Sequence, residues 1–91
     1  MLSNDIDEAI DIARSVVPIF DKLDDVRQEV VINMAFNMGA PRLAGFKQFI
    51  AALMRFDFHR ATAEMMDSKW YDQVGARGKR LAYAMREGCF E

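Results

Sequence analysis

The sequence predicts an all-α fold, a compact bundle of about five to seven helices around a buried central helix. Three observations carry that prediction. Apolar residues recur at helical spacing in one block after another. No stretch alternates with the period of two that a half-buried strand needs. The segment from Val26 to Met38 is apolar nearly all round, so it must be enclosed on most sides by its neighbours. With 91 residues, 52% of them hydrophobic and 29% charged, the chain has the composition of one globular domain with a single core.

The first helix follows from Ile6, Ala9, Ile10 and Ala13, with Ser3 or Asn4 as its cap and Asp5, Asp7 and Glu8 beside the positive end of its dipole. Pro18 suits the first turn of a short helical segment that ends near Leu23. Asp24 or Asp25 then caps the central helix, whose apolar positions include Val30, Val31, Ile32, Met34, Ala35 and Phe36, and Gly39 stops it. Ala40–Gly45 holds Pro41 and Gly45 and reads as a connection. Phe46, Phe49, Ile50 and Leu53 repeat at the i, i+3, i+4, i+7 spacing of the next helix, and Phe58, Ala61, Thr62 and Met65 form a shorter stripe. A helical turn around Lys69–Asp72 follows. Gly75–Gly78 is weakly helical, and Leu81, Ala84 and Met85 define the last helix.

Charge is unevenly placed. Residues 1–29 sum to −5 and residues 30–91 to +3, with the positive excess mainly in Arg77, Lys79, Arg80 and Arg86. A basic C-terminal helix admits a helix-turn-helix nucleic-acid binder as an alternative reading, but the acidic N-terminal part and the buried central helix weigh against it. The single cysteine, Cys89, cannot form an internal disulfide. No charged segment followed by an apolar one opens the sequence, and no run approaches the roughly 18 apolar residues of a membrane span. The expectation is a protein made in the cytoplasm without a signal peptide, with no membrane partner. His59 with Asp57 falls short of the ligand count of a zinc site, and neither metal nor cofactor is expected. Judged by residue type alone, Phe36 and Trp70 read as core aromatics and Asn33 as a satisfied buried polar group.

Three blocks, in order, add a resemblance: LDDVRQEVVINMAFNMG at Leu23–Gly39, AGF at Ala44–Phe46, and SKWYDQVGARGKR at Ser68–Arg80. Together they resemble the C-terminal helical lobe of bacteriophage-type lysozymes of the T-even kind, over nearly the whole chain. That family hydrolyses the β-1,4 bond between N-acetylmuramic acid and N-acetylglucosamine in bacterial peptidoglycan. The resemblance implies that Asp5–Arg14 matches the end of the helix joining the two lobes. It also implies that the catalytic carboxylates belong to an N-terminal lobe outside residues 1–91. No residue here is then expected to be catalytic, and the chain alone is expected to be inactive. The resemblance places Phe36, Asn37, Trp70 and Arg77 on the wall of the substrate cleft. Phe49 and Glu64 occupy further positions of that wall, where the family commonly has a small polar residue and an asparagine. Expected partners are the glycan and peptide of the cell wall, met in the host periplasm on release, and either the missing lobe or a second copy. An alternative implication is a structural remnant that homodimerises or binds a partner helix over the apolar surface left by the missing parts.

Overall fold

The computed structural model describes residues 2–90, with side chains from Asp7 onward. Among these residues there are seven α-helices, one 3-10 turn and no strand. The proposed cap at Ser3 or Asn4, with Asp5 and Ile6, lies outside the described side chains. Helix α1 (Leu2–Val16) buries Ala9 and Ala13 against the central helix and reaches Val17, which is fully enclosed. The segment after Pro18 is a 3-10 turn at Phe20–Lys22, whose Phe20 and following Leu23 enter the core. Gln28 Nε2 donates to the Phe20 carbonyl at 3.0 Å, fastening that turn to the next helix.

Helix α2 (Asp25–Met38) begins at Asp24, whose carboxylate accepts the Arg27 backbone N–H at 3.2 Å, one of the donors a helix start leaves unpaired. It ends at Gly39, where φ is +79°, a conformation open to glycine at no steric cost. Val30, Val31, Met34 and Ala35 are buried beneath α1, α3 and α7. The enclosure is incomplete, however: Phe36 projects outward with 59% of its surface exposed. The uniformly apolar segment is thus covered on a broad face and open at its last turn.

Ala40–Gly45, expected to be a connection, is largely a five-residue helix, α3 (Ala40–Ala44). Pro41 falls in its first turn, where the missing N–H costs nothing, and Leu43 is fully buried as its anchor. Helices α4 (Lys47–Met54) and α5 (Phe58–Met66) pack on one another, and α5 packs extensively on α7 (Ala76–Glu87). Asp57 and Ser68 cap α5 and α6 (Lys69–Val74), accepting from the Arg60 and Tyr71 backbone N–H groups. Gly75, at φ +59°, separates α6 from α7, whereas Gly78 lies within α7. A Cβ at Gly78 would sit 3.0–3.1 Å from Val74 Cγ2, Tyr71 Cδ1 and the Tyr71 carbonyl, so glycine permits the close approach of the two helices. No helix among the described residues is long and apolar enough to cross a membrane.

One side chain joins the start of the chain's central helix to its end. Arg27 Nε donates to the Met85 carbonyl at 2.7 Å and Nη2 to the Arg86 carbonyl at 3.1 Å. Its Nη1 pairs with Asp24 at 3.0 Å, and its guanidinium lies 3.7 Å from the centre of the Phe58 ring. The carbonyls belong to the last turn of α7, which has no helical donors of its own, and the cation meets the negative end of that helix.

Candidate functional site

The last turn of α2 organises the surface that the sequence singles out. Consecutive helical residues point about 100° apart, so Phe36, Asn37 and Met38 fan into three different surroundings. Phe36 faces a groove of about 310 Å³ that it shares with Glu8, Ala9, Ile12, Ala35 and Gly39, between α1 and α2. Asn37 turns toward α7. Met38 borders a smaller recess whose wall includes Trp70.

Asn37 is half-buried and its amide is directed by the helix itself. Its Nδ2 donates to the Asn33 carbonyl at 2.9 Å, and Asn33 repeats the pattern with the Glu29 carbonyl at 2.8 Å. Each amide therefore commits one N–H to the backbone four residues earlier. The Asn37 oxygen receives a long contact, 3.5 Å, from Arg77 Nη1, which spans from α7 to α2. Arg77 and Arg80, three residues apart on one face of α7, border a groove of about 620 Å³ together with Glu29, Asn33, Leu81 and the exposed Phe90. This surface is polar, cationic and flanked by an exposed aromatic ring, which is chemistry suited to hydroxylated or anionic polymers.

The other expected wall residues fall elsewhere. Phe49 is fully buried and stacks on Phe46, with ring centres 5.0 Å apart, so it is a core residue and reaches no ligand surface. An aromatic at that position of α4 is drawn inward by the stripe it shares with Leu53 and Ala52. Trp70 is 3% exposed, and its indole N–H has no acceptor among the described residues. It backs the surface rather than offering a ring face to a sugar. Glu64 is half-buried on α5 and is engaged by Arg60 of the same helix at 3.0 Å. Of the six expected positions, the structure brings only Asn37 and Arg77 into contact, while Phe36, the residue before Asn37, faces the separate groove between α1 and α2.

Several residues at this surface escaped sequence reasoning. Arg42 bonds Gln73 Oε1 at 3.2 Å, linking α3 to α6, and Phe46 and Lys69 join Met38 around Trp70. The expectation of a loop at Ala40–Gly45 hid Arg42, since a residue on a loop has no predictable facing. Phe90 carried no periodic signal, lying beyond the last helix. Among the described residues, no three of His, Cys, Asp and Glu are grouped so as to hold a metal ion.

The chain is thus an all-α unit with an asparagine at the end of its central helix met by an arginine from the last helix. The chain is related to phage-type lysozymes. It is 32% identical over 76 residues to the pre-baseplate central spike protein Gp5 of Enterobacteria phage T4, a match covering 84% of this chain and 13% of that protein. It is 30% identical over 70 residues to probable T4-type lysozyme 1 of Dictyostelium discoideum, covering 77% of this chain and 41% of the relative. Probable T4-type lysozyme 2 of the same organism is 26% identical over 83 residues, covering 91% and 49%. The chain thus spans under half the length of the lysozymes it matches. No family model matches it.

Proposed function

We propose that these 91 residues form the C-terminal helical lobe of a T4-type lysozyme and supply the glycan-contacting wall of its cleft. The observation that carries this reading is the Asn37–Arg77 contact, with Phe36 outward on the adjoining face, at the end of the helix whose sequence most resembles the family. Apolar rings in water are costly unless something covers them, and a pyranose face with flanking hydroxyls matches an aromatic edge, an amide oxygen and a guanidinium. In this reading the two carboxylates that glycoside hydrolysis requires come from outside the 91 residues. The pairing of Glu64 with Arg60 supports that view, because it commits the acid of the expected wall to its own helix.

The test is sedimentation of the purified chain with peptidoglycan sacculi, alongside an assay for released reducing ends. Binding without turnover is expected, weakened by Phe36→Ala or Arg77→Gln. Release of reducing ends by the chain itself, lost on changing Glu64→Gln, would overturn the assignment of the carboxylates. Equal binding by all variants would overturn the assignment of the wall.

A second reading is favoured by one observation. The groove between α2 and α7 is about 620 Å³ and carries Leu81 and exposed Phe90 beside Arg77 and Arg80. We infer that a partner helix with acidic and apolar residues, from the remainder of such a lysozyme, covers it. Crosslinking from a cysteine placed at Arg80 to an added N-terminal lobe checks that reading.

A further inference from the structure

On the side of α7 turned away from Arg77, a groove of about 260 Å³ runs among α5, α6 and α7. Met66, Tyr71, Lys79, Ala82, Tyr83 and Arg86 border it, and among the described residues no Asp or Glu does. Lys79, Tyr83 and Arg86 stand at i, i+4 and i+7, so they fall within about 60° of one another around the helix. Arg77 lies about 160° from Lys79 on the same count. The two cations are two turns apart, about 10.5 Å along the axis. That separation suits two anionic groups of one extended molecule better than a single small anion.

The other groups narrow the chemistry. Lys79 enters no ion pair among the described residues. Arg86 meets Glu87 through Nε at 2.8 Å, an exposed pair that water screens, and its two Nη groups take no part in it. The tyrosine rings are already in use. The edge of Tyr71 lies against Gly78, where an added Cβ would meet Cδ1 at 3.1 Å, and the Arg86 guanidinium lies 5.9 Å from the centre of the Tyr83 ring. Both phenol hydroxyls open to solvent, since neither is bonded to the described residues nor buried. The Thr62 hydroxyl is committed to the Phe58 carbonyl at 2.8 Å. A polymer read by base stacking needs free ring faces. A polyol phosphodiester instead needs cations for its diesters and hydroxyls for its hydroxyls, and those are what remain here.

We propose that the groove among α5, α6 and α7 docks a polyol phosphodiester, a linear polymer of the glycerol-phosphate type. Lys79 and Arg86 hold two diester groups, the Tyr71 and Tyr83 hydroxyls bond the polyol between them, and Met66 and Ala82 receive its methylene edge. Charge confines the polymer to this helix. The chain as a whole is −2, whereas α7 carries Arg77, Lys79, Arg80 and Arg86 against Glu87 alone. The groove is separate from the Asn37–Arg77 contact, so this assignment holds whether or not those residues meet glycan.

The experiment titrates the ¹⁵N-labelled chain with a synthetic glycerol-phosphate oligomer, following backbone amide shifts at low salt. Parallel titrations use a neutral oligoglycerol, inorganic phosphate and an oligothymidylate of equal phosphate number. The glycerol-phosphate oligomer is expected to move amides of α7 and the end of α5 and to saturate with Kd on the order of 0.1 mM. Raising salt tenfold should weaken it roughly 25-fold, the slope for two released counterions. Lys79→Gln/Arg86→Gln changes two exposed side chains, so folding survives, and should weaken binding about tenfold or more. Lys47→Gln/Arg55→Gln removes the same charge from exposed positions of α4 and its cap, and should leave binding within about twofold. Tyr71→Phe/Tyr83→Phe keeps the charge and should weaken it about threefold. Unmoved amides, equal weakening by the two charge variants, or equal binding of inorganic phosphate or neutral oligoglycerol would overturn the proposal. Oligothymidylate binding as tightly as the polyol would overturn it as well, since a nucleic acid would then be the better occupant. Failure of sacculus binding with an intact response to the oligomer would count against the glycan wall alone.

Discussion

Replacing Arg27 by alanine should cost more stability than any other single surface-accessible change in this protein. The guanidinium makes two charge-assisted bonds to the Met85 and Arg86 carbonyls, and truncation of such a bond typically costs about 1.5–3 kcal/mol. Its stacking on Phe58 at 3.7 Å adds about 1 kcal/mol. The ion pair with Asp24 adds little, roughly 0.5 kcal/mol, because the Asp24 side chain is 42% exposed. These terms are not additive, and the freed carbonyls at the end of α7 regain some water, so the net loss is about 3–4 kcal/mol. A domain of this size has roughly 5–14 kcal/mol in total, so the change removes a large share. Thermal unfolding followed by circular dichroism should show Tm falling by about 15–25 °C.

Arg27→Lys separates charge from geometry. Lysine keeps the cation near the end of α7 but lacks the planar fork that serves two carbonyls while lying flat on a ring. It should recover about half of the loss. A double-mutant cycle with Phe58→Leu should give a coupling near 1 kcal/mol. A loss below about 1 kcal/mol for Arg27→Ala would refute the reasoning, since that is what an ordinary exposed ion pair contributes. Full rescue by lysine would refute the geometric part.

Other perturbations follow from the same packing. Gly78→Ala should destabilise by about 1–2 kcal/mol, despite alanine's better helix propensity, because the new methyl meets the Tyr71 carbonyl at 3.1 Å and backbone cannot swing aside; a rise in Tm would show that α6 yields. Phe49→Ala should cost about 3–5 kcal/mol as a core truncation, whereas Phe36→Ala, at 59% exposure, should stay within about 1 kcal/mol in urea unfolding. Equal losses at the two positions would overturn the placement of both rings. Trp70→Phe removes the unpaired N–H and should leave stability within about 1 kcal/mol of the parent, since the shape loss and the relieved donor oppose one another. Phe56 holds φ at +57° with half its surface exposed, so Phe56→Gly should be neutral or stabilising by up to about 1 kcal/mol, with a clear fall in Tm as the contrary result.

Helix identity was legible wherever a stripe ran for two turns or more. Ala9 with Ala13, Phe49 with Leu53, and Ala61 with Met65 are buried at the spacing their positions demand. Asp24 and Gly39 bound α2 as capping chemistry requires, and of the two adjacent acids it is Asp24 whose carboxylate accepts the Arg27 N–H. Short segments were not legible. Pro41 signals a break in a long helix but a permitted start in a new one, and five residues contain too few turns to distinguish the two.

The candidate site was legible in its parts and not in its arrangement, and α2 shows why. Its apolar residues surround the helix, so periodicity gives no inward direction at the last turn. Direction comes from what the neighbouring helices leave uncovered. With α1, α3 and α7 all packed on α2, Phe36 is the ring left outside. Asn37 is then held between its own helix and Arg77, a contact across 40 residues of sequence that no local pattern encodes. The same geometry reverses the expectation for two aromatics. Phe49 and Trp70 are large apolar residues on helices that each have one covered face, and burial of their area outweighs any use at the surface. Trp70 accepts that burial although its N–H has no partner among the described residues, because the area of the ring outweighs one unpaired donor.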